Sequence, residues 1–277
     1  MSQQLVQAAA LLHLAAAVLY AIASAGAVFA LGKTRSGADR VSRLAGAAGL
    51  AVHVAGIAVL WVAVGHGPFV SRFENLSSYA LATSALTLAL VWRRPGFAPV
   101  RVVSYPVAFL LLGLGLYSGA GVSVLPPTFT GVWLVLHVCF YFLAFGTAVV
   151  SLGASVLILA GRARGRRASG GAFDAEQLDG LAYRYGGLAF AFWGIGMLTG
   201  AIWANNAWGR YWGWDPVESW SLLTWLVFGI YLHLRRFYAW KGARAAWLMV
   251  VCFALAIISL FGTSLVTNSI HSVYFRS

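Results

Sequence analysis

The most constraining feature of this chain is a succession of long apolar runs, separated by short connectors that hold most of the charged residues. Hydrophobic residues make up 61% of the chain and charged residues only 9%, whereas a soluble domain has about 25% charged residues. A surface with so little charge cannot lie mainly in water. The sequence therefore predicts that most of this surface faces lipid.

Eight apolar runs are interpreted as membrane-spanning helices, because a crossing of the hydrocarbon core takes about 20 residues. The runs lie at about 5–31, 44–65, 78–92, 102–119, 131–160, 185–202, 219–234 and 245–267. The third, fourth, sixth and seventh are short, and Trp, Tyr and Ser residues at their flanks would complete the crossing. The predicted fold is an all-α, polytopic membrane protein with about eight transmembrane helices.

The basic residues are distributed unevenly between the connectors. Sixteen of the nineteen Lys and Arg residues lie in alternate connectors, and the positive-inside rule makes those connectors cytoplasmic. Both termini and the loops near 66–77, 120–130 and 203–218 are then external. The net charge of +12 thus concerns membrane topology, and no nucleic-acid partner is expected. We expect a multi-pass protein of the bacterial cytoplasmic (inner) membrane, in contact with the lipid bilayer.

A Gly- and Arg-rich stretch separates two groups of helices. Residues 161–184 are predicted to form a cytoplasmic linker between a five-helix part, 1–160, and a three-helix part, 185–277. The N-terminus lacks the basic region of a cleavable signal, so the first helix is expected to be retained. Cys139 and Cys252 lie far apart without a C-x-x-C motif, which argues against a zinc knuckle or a dithiol redox site.

The external loop before the seventh helix is rich in tryptophan. Five of the twelve tryptophans fall between residues 203 and 220. An aromatic belt at the lipid headgroups explains one or two of them, but five with interleaved glycines are excessive for anchoring. Flat rings beside glycine, which permits close backbone approach, suit a large planar apolar ligand such as a porphyrin. The residues predicted to contact it are Trp203, Trp208, Trp212, Trp214 and Asp215.

The segment Asp215-Pro-Val-Glu218 also has a structural interpretation. Asp at the N-cap, Pro at the first helical position and Glu at the third form a capping box, which fixes where the seventh helix begins. Nearby Arg210 is one of the few external basic residues. A ligand carboxylate and a lipid phosphate are equally good partners for it.

Two histidines lie deep inside predicted spans, where an ionisable side chain is a functional candidate by default. His53 is near the middle of the second span, and we expect it to be an axial ligand of an intramembrane heme. The alternative is a neutral core histidine bonded to a backbone carbonyl. His13, in the first span, is more simply a core residue.

The remaining histidines lie near the predicted membrane surfaces. His66, His137 and His271 are on the outer side, and any two of them are able to supply the two neutral imidazoles of bis-His iron ligation. His233 lies at the inner end of the seventh helix and is interpreted as an interfacial residue.

The run from Trp203 to Glu218 resembles the tryptophan-rich (WWD) signature of heme-handling proteins in cytochrome c biogenesis. Among these proteins, the chain is most similar to the CcsA/ResC branch of the system II machinery. The segments around His66 and His137 and the tail around His271 agree with that branch. Two departures stand out: Val217 stands where Lys is usual, and Asn206 where an acidic residue is common.

The resemblance implies a heme transport and presentation subunit of a system II cytochrome c synthase. Heme b would pass an intramembrane histidine, His53, and would then be held at the external tryptophans by His137 and His271. There it would be attached to the C-x-x-C-H motif of apocytochrome c. The implied partners are a CcsB/ResB-type membrane protein, apocytochrome c and a thioredoxin-like thiol reductant. The chain itself has no evident acid or nucleophile for the attachment.

Three other functions remain open from the sequence. A CcmC-type heme lyase or chaperone also carries the tryptophan motif but usually has six spans. A b-type, quinone-linked electron-transfer subunit would place paired histidines on facing helices near each membrane surface. A transporter unrelated to heme leaves the tryptophan-rich loop unexplained.

Overall fold

The computed structural model describes residues 2–31, 35–121, 124–163 and 174–262. Within these ranges the regular secondary structure is entirely helical, which confirms the all-α prediction. The α-helices are α1 Ser2–Ala30, α2 Arg35–Val64, α3 Arg72–Arg93, α4 Arg101–Ser118, α5 Val132–Ala163, α6 Ala175–Trp208, α7 Pro216–Phe237 and α8 Gly242–Ile257. A 3-10 helix, Pro95–Val100, precedes α4, and a π-helical segment, Ile258–Gly262, continues α8.

Each predicted span corresponds to one of these helices. By length and composition, seven helices in the described part of the chain are able to cross a membrane, so the protein is a multi-pass membrane protein. The exception is α3, because much of it is polar. Its buried hydroxyl side chains belong to Ser77, Ser78, Thr83, Ser84 and Thr87. This helix presents polar groups to the protein interior, where all of these hydroxyl groups except that of Thr83 form hydrogen bonds within the described part of the chain.

The chain divides into two compact units, Met1–Pro126 with α1 to α4 and Pro127–Ser277 with α5 to α8. The boundary differs from the expected one, because α5 packs against α6 and α8. Residues 175–184, expected in a linker, are helical, and Leu178, Leu181 and Ala182 are buried there. The expected linker between 164 and 173 lies outside the described residues.

In the first unit, α1 lies along α2, and α4 packs against α1 and α3. The end of this unit that the charge pattern places in the cytoplasm holds a partly buried ion pair. The Arg101 guanidinium, 2% exposed, contacts the carboxylate of Asp39 and donates through Nε to the Ala98 carbonyl at 2.8 Å. This arrangement connects α2 with the start of α4.

The second unit has an equivalent connection between its helices. The Arg235 guanidinium donates to both carboxylate oxygens of Asp179, at 2.9 and 2.6 Å, and the Gly242 amide donates to Asp179 Oδ1 at 2.8 Å. The residues involved belong to α6, α7 and α8. At the opposite end of the unit lie Trp203, Trp208, Trp212 and Trp214.

Candidate functional site

The tryptophan-rich segment is partly helical. The sequence places Trp203 and Trp208 in a loop, but both belong to the last turns of α6, which ends at Gly209 in the left-handed conformation, φ 73°. Since no residue before Gly209 interrupts the helix, it continues to Trp208. The connector to α7 therefore contains only residues 209–215. We call Trp203, Trp208, Trp212 and Trp214 the tryptophan cluster.

Trp203 anchors the cluster to the rest of the second unit. Its side chain is 4% exposed, and its indole Nε1 donates to the Thr128 carbonyl at 2.9 Å. The ring makes edge contacts with Phe129 and Trp208, at centroid distances of 5.7 and 4.9 Å. A buried indole with its N–H satisfied is rigidly held. Trp203 is thus the buried, fixed member of the tryptophan cluster.

Trp212 and Trp214 lie in the connector and meet edge to face at 5.7 Å. Trp214 is 71% exposed and has φ 57°, a left-handed conformation that is uncommon for a bulky residue and is frequent at functional sites. Among the described residues, the buried Nε1 of Trp212 has no hydrogen-bond partner. The connector thus holds an exposed aromatic face, on Trp214, and a buried unsatisfied donor, on Trp212.

The predicted capping box at the start of α7 is confirmed. The Asp215 carboxylate accepts from the Val217 amide at 2.9 Å, and Glu218 Oε2 accepts from the Asp215 amide at 3.1 Å and the Gly213 amide at 2.8 Å. Both carboxylates thus accept hydrogen bonds from backbone N–H groups of the connector or of the first turn of α7. Their role in the geometry is to hold the residues between Trp212 and α7 in place.

His137 on α5 lies beside the anchored tryptophan. Its ring is stacked on Trp203 at a centroid distance of 6.1 Å and an interplanar angle of 21°. Its Nδ1 lies 2.8 Å from the Gly196 carbonyl oxygen. Because a carbonyl only accepts, Nδ1 carries the proton, and the lone pair of the neutral imidazole is on Nε2. Metal-ligating histidines commonly have this arrangement.

Two histidines of the first unit, His13 and His53, belong to one chain of hydrogen bonds. His13 Nδ1 donates to the Ala9 carbonyl at 2.7 Å, and His13 Nε2 is 3.1 Å from Ser77 Oγ. Ser77 Oγ is also 2.9 Å from His53 Nε2, and His53 Nδ1 is 3.2 Å from the Tyr20 hydroxyl. We call His13, Ser77, His53 and Tyr20 the hydroxyl–histidine chain. The alternative interpretation of His53 named a carbonyl partner, but its partners are two hydroxyl groups.

With neutral imidazoles, the partners fix the direction of every bond in this chain. The Ala9 carbonyl accepts the hydrogen bond from His13 Nδ1, so the lone pair of His13 is on Nε2 and Ser77 donates to it. Because the Ser77 proton is then used, His53 Nε2 donates to Ser77. The lone pair of His53 is then on Nδ1, facing the Tyr20 hydroxyl. All members of the chain are fully buried or nearly so.

Two further predicted residues lie elsewhere. His66 is buried in the first unit, with Nδ1 3.0 Å from the Gly67 carbonyl and 3.9 Å from Glu74 Oε2. His233 is exposed on α7, next to Phe237 and Tyr238. His271 lies outside the described residues.

Sequence reasoning missed the residues that surround His137. Tyr141, one turn further along α5, contacts the His137 ring edge to face at 4.9 Å. Its hydroxyl is 2.5 Å from Ser221 Oγ, which also accepts from Trp193 Nε1 at 2.9 Å. The signal that was available is the spacing of Gly196 and Gly200, since small residues four apart bring membrane helices close together.

The donor set fits a porphyrin better than a bare metal ion. Among the described residues there is no group of three or more His, Cys, Asp or Glu side chains able to hold a metal ion. A heme iron takes its in-plane nitrogens from the porphyrin and needs only axial ligands from the protein. One suitably protonated histidine beside flat aromatic rings meets that requirement.

Comparisons with known proteins agree with this chemistry. The family model described as "Cytochrome C assembly protein" matches residues 41–271. A cytochrome c biogenesis protein CcsA of Chlamydomonas reinhardtii is 34% identical over 78% of this chain, which spans 64% of that protein. A CcsA protein of Synechococcus sp. (strain RCC307) is 30% identical over 87% of both chains.

A solved structure shows the same fold. The cytochrome c heme lyase CcmF superposes with a TM-score of 0.71 and 18% sequence identity. The match covers 98% of this chain and 48% of the CcmF chain. By its sequence and its fold, this chain belongs to the family of cytochrome c assembly proteins.

Proposed function

We propose that this chain is the heme transport and presentation subunit of a system II cytochrome c synthase. It holds heme b at the tryptophan cluster for covalent attachment to apocytochrome c. The observation that carries the proposal is the tautomer of His137, whose Nδ1–H···O=C bond to Gly196 places the lone pair on Nε2, the nitrogen that would bind iron. The relatives named CcsA support the same role.

The aromatic residues divide the work of binding between them. Trp203 is buried and fixed, so it holds the histidine, whereas Trp214 is exposed and presents its face to the ligand. Heme is amphipathic, and a site at the lipid–water boundary buries its ring on such residues while its propionates reach water. Arg210, exposed at the start of the connector, supplies a positive charge for a propionate.

The second axial ligand is proposed to be His271. The pair would hold the iron between two neutral imidazoles, which leaves the vinyl edge of the porphyrin for the substrate. Each thiol of the apocytochrome motif adds its S–H across one vinyl group, so the thiols have to be reduced beforehand. A thioredoxin-like reductant and a CcsB/ResB-type membrane partner complete the proposed system, with the cluster facing outward from the bacterial cytoplasmic membrane.

The intramembrane ligand is a separate proposal. The sequence predicts His53 for it, and iron would have to displace the Tyr20 hydroxyl from Nδ1, the nitrogen that carries the lone pair. His233 lies within a membrane-spanning helix and has an exposed ring, and an ionisable residue in such a position is a functional candidate. His13 and His53 lie on facing helices, as a quinone-linked b-type subunit requires, but Ser77 bonds both of them.

The test is the absorption spectrum of the protein purified with its partner in mild detergent. We expect a low-spin, bis-His b-type spectrum. His137→Gly and His271→Gly should each alter it, and added imidazole should partly restore it. Cys139→Ala, on the same helix as His137, is the matched control and should leave the spectrum unchanged. An unaltered spectrum in both histidine variants would exclude these ligands.

A further inference from the structure

The approach of α6 to His137 depends on two glycines. Gly196 and Gly200 lie on successive turns of α6, facing α5. A Cβ at Gly200 would overlap the His137 ring, with Nδ1 and Cε1 as the nearest atoms. A Cβ at Gly196 would lie 3.0 Å from the Tyr141 ring, closer than ordinary contacts. A side chain at either position would therefore push α5 and α6 apart or displace a ring.

The same close approach creates the hydrogen bond that sets the protonation of His137. The Gly196 carbonyl accepts from Nδ1 at 2.8 Å, and it also accepts from Thr199 Oγ1 at 3.0 Å. A carbonyl has two lone pairs, so both bonds are compatible. If the ring moved outward by about an ångström, the bond to Nδ1 would be lost, and the Gly196 carbonyl would no longer determine the tautomer of the neutral imidazole.

We infer that Gly196 and Gly200 are positioning residues for His137, which fix its ring against α6 and direct the Nε2 lone pair to the heme iron. This inference rests on the proposed function for the nature of the ligand. Neither glycine touches heme. Their effect is on the orientation and basicity of the imidazole, as is usual for the residues that surround a metal-ligating histidine.

The other contacts of the ring are consistent with this role. Trp203 stacks on one face, and Tyr141 touches the ring edge to face. Tyr141 is itself held through Ser221, which also bonds Trp193. The histidine is therefore constrained from α5, α6 and α7, and Gly200 is the position at which an added methyl group meets the ring directly.

The experiment compares two glycine-to-alanine substitutions on the same helix. Gly200→Ala adds a methyl group against His137, whereas Gly187→Ala adds one 3.9 Å from its nearest neighbour, a Leu232 methyl carbon. Heme b is titrated into each full-length protein, purified with its partner. We expect Gly187→Ala to match the parent. Gly200→Ala should bind heme about 10- to 100-fold more weakly, with a spectrum that added imidazole restores, as for His137→Gly.

The inference is overturned if Gly200→Ala binds heme with the affinity and spectrum of the parent protein. A second measurement needs no variant in the cluster and is made on the heme-free parent. The ¹⁵N shifts of the labelled His137 ring should show the proton on Nδ1, and a proton on Nε2 would also overturn the inference.

The two measurements separate this inference from the proposed function. If neither the parent nor Gly187→Ala binds heme, the proposed function fails. In that case the ¹⁵N measurement decides whether the glycines still set the His137 tautomer: Nδ1–H supports the positioning and Nε2–H refutes it.

Discussion

His53 of the first unit and His137 of the second unit are bonded in different ways. His53 has a hydroxyl group at each ring nitrogen, from Ser77 and Tyr20. His137 has a backbone carbonyl at Nδ1. A hydroxyl is able to donate or accept, whereas a carbonyl only accepts. The protonation of His137 is thus fixed by one neighbour, and that of His53 depends on a whole chain.

This difference separates a histidine that joins helices from one suited to bind iron. In the first unit, the hydroxyl–histidine chain connects α1, α2 and α3, and each side-chain polar atom in it is hydrogen-bonded within the protein. In the second unit, the fixed tautomer directs the lone pair of His137 away from the Gly196 carbonyl. His53 is fully buried and His137 is half-buried, but the chemistry of the neighbour decides which ring nitrogen carries the lone pair.

The largest expected effect is on the shared hydroxyl of the first unit. Ser77→Ala leaves the Nε2 atoms of His13 and His53 without their common partner. An unsatisfied buried polar group costs about 1–3 kcal/mol, so we expect a loss of about 2–6 kcal/mol in the free energy of unfolding, measured by thermal or denaturant unfolding in detergent.

The matched control is Ser155→Ala. Among the described residues, the Ser155 hydroxyl donates only to the Ser151 carbonyl of its own helix. This substitution should cost less than about 1 kcal/mol by the same measurement. The heme spectrum of Ser77→Ala should be that of the parent protein. A spectrum altered as much as in His137→Gly would break the separation between the two kinds of histidine.

The next effect concerns the passage of heme through the membrane. If the bonding of His53 excludes it from ligation, His53→Asn should leave the heme content of the cluster unchanged, while His233→Gly should lower it about tenfold, equivalent to about 1.4 kcal/mol. The measurement is heme per protein in both purified variants. The reverse result, with depletion only in His53→Asn, would support His53 as the intramembrane ligand.

The smallest effect is on the geometry of the connector. Asp215→Ala removes the cap of α7 and should cost about 1 kcal/mol, whereas Asp215→Ser keeps an acceptor for the Val217 amide. Hydrogen exchange should become faster in the first turn of α7 in the alanine variant only. Equal exchange in both variants would mean that the cap does not hold the connector.

Features encoded by neighbouring residues could be predicted from the sequence. The apolar runs gave the helices, and the Asp215-Pro-Val-Glu218 pattern gave the start of α7, because a capping box is a contact over three residues. The end of α6 was misplaced because tryptophans were interpreted as loop residues, although only Gly209 breaks the helix.

Contacts between distant residues could not be predicted in the same way. Ser77 joins two histidines that are 64 and 24 residues away from it, and no local pattern announces this. The packing of α5 with α6 depends equally on long-range contacts, with Gly196 and Gly200 as their clearest sequence trace. The position of His137 beside Trp203 therefore emerges only in three dimensions.

The division of the chain at residue 126 has a consequence for biosynthesis. The ribosome makes the N-terminal part first, so α1 to α4 are synthesised before Thr128, whose carbonyl oxygen accepts from the indole N–H of Trp203. The histidine helix follows, then α6 with its tryptophans, and the capped connector comes later still. Under the proposed function, a newly made chain would have no complete heme site until most of the polypeptide has left the ribosome.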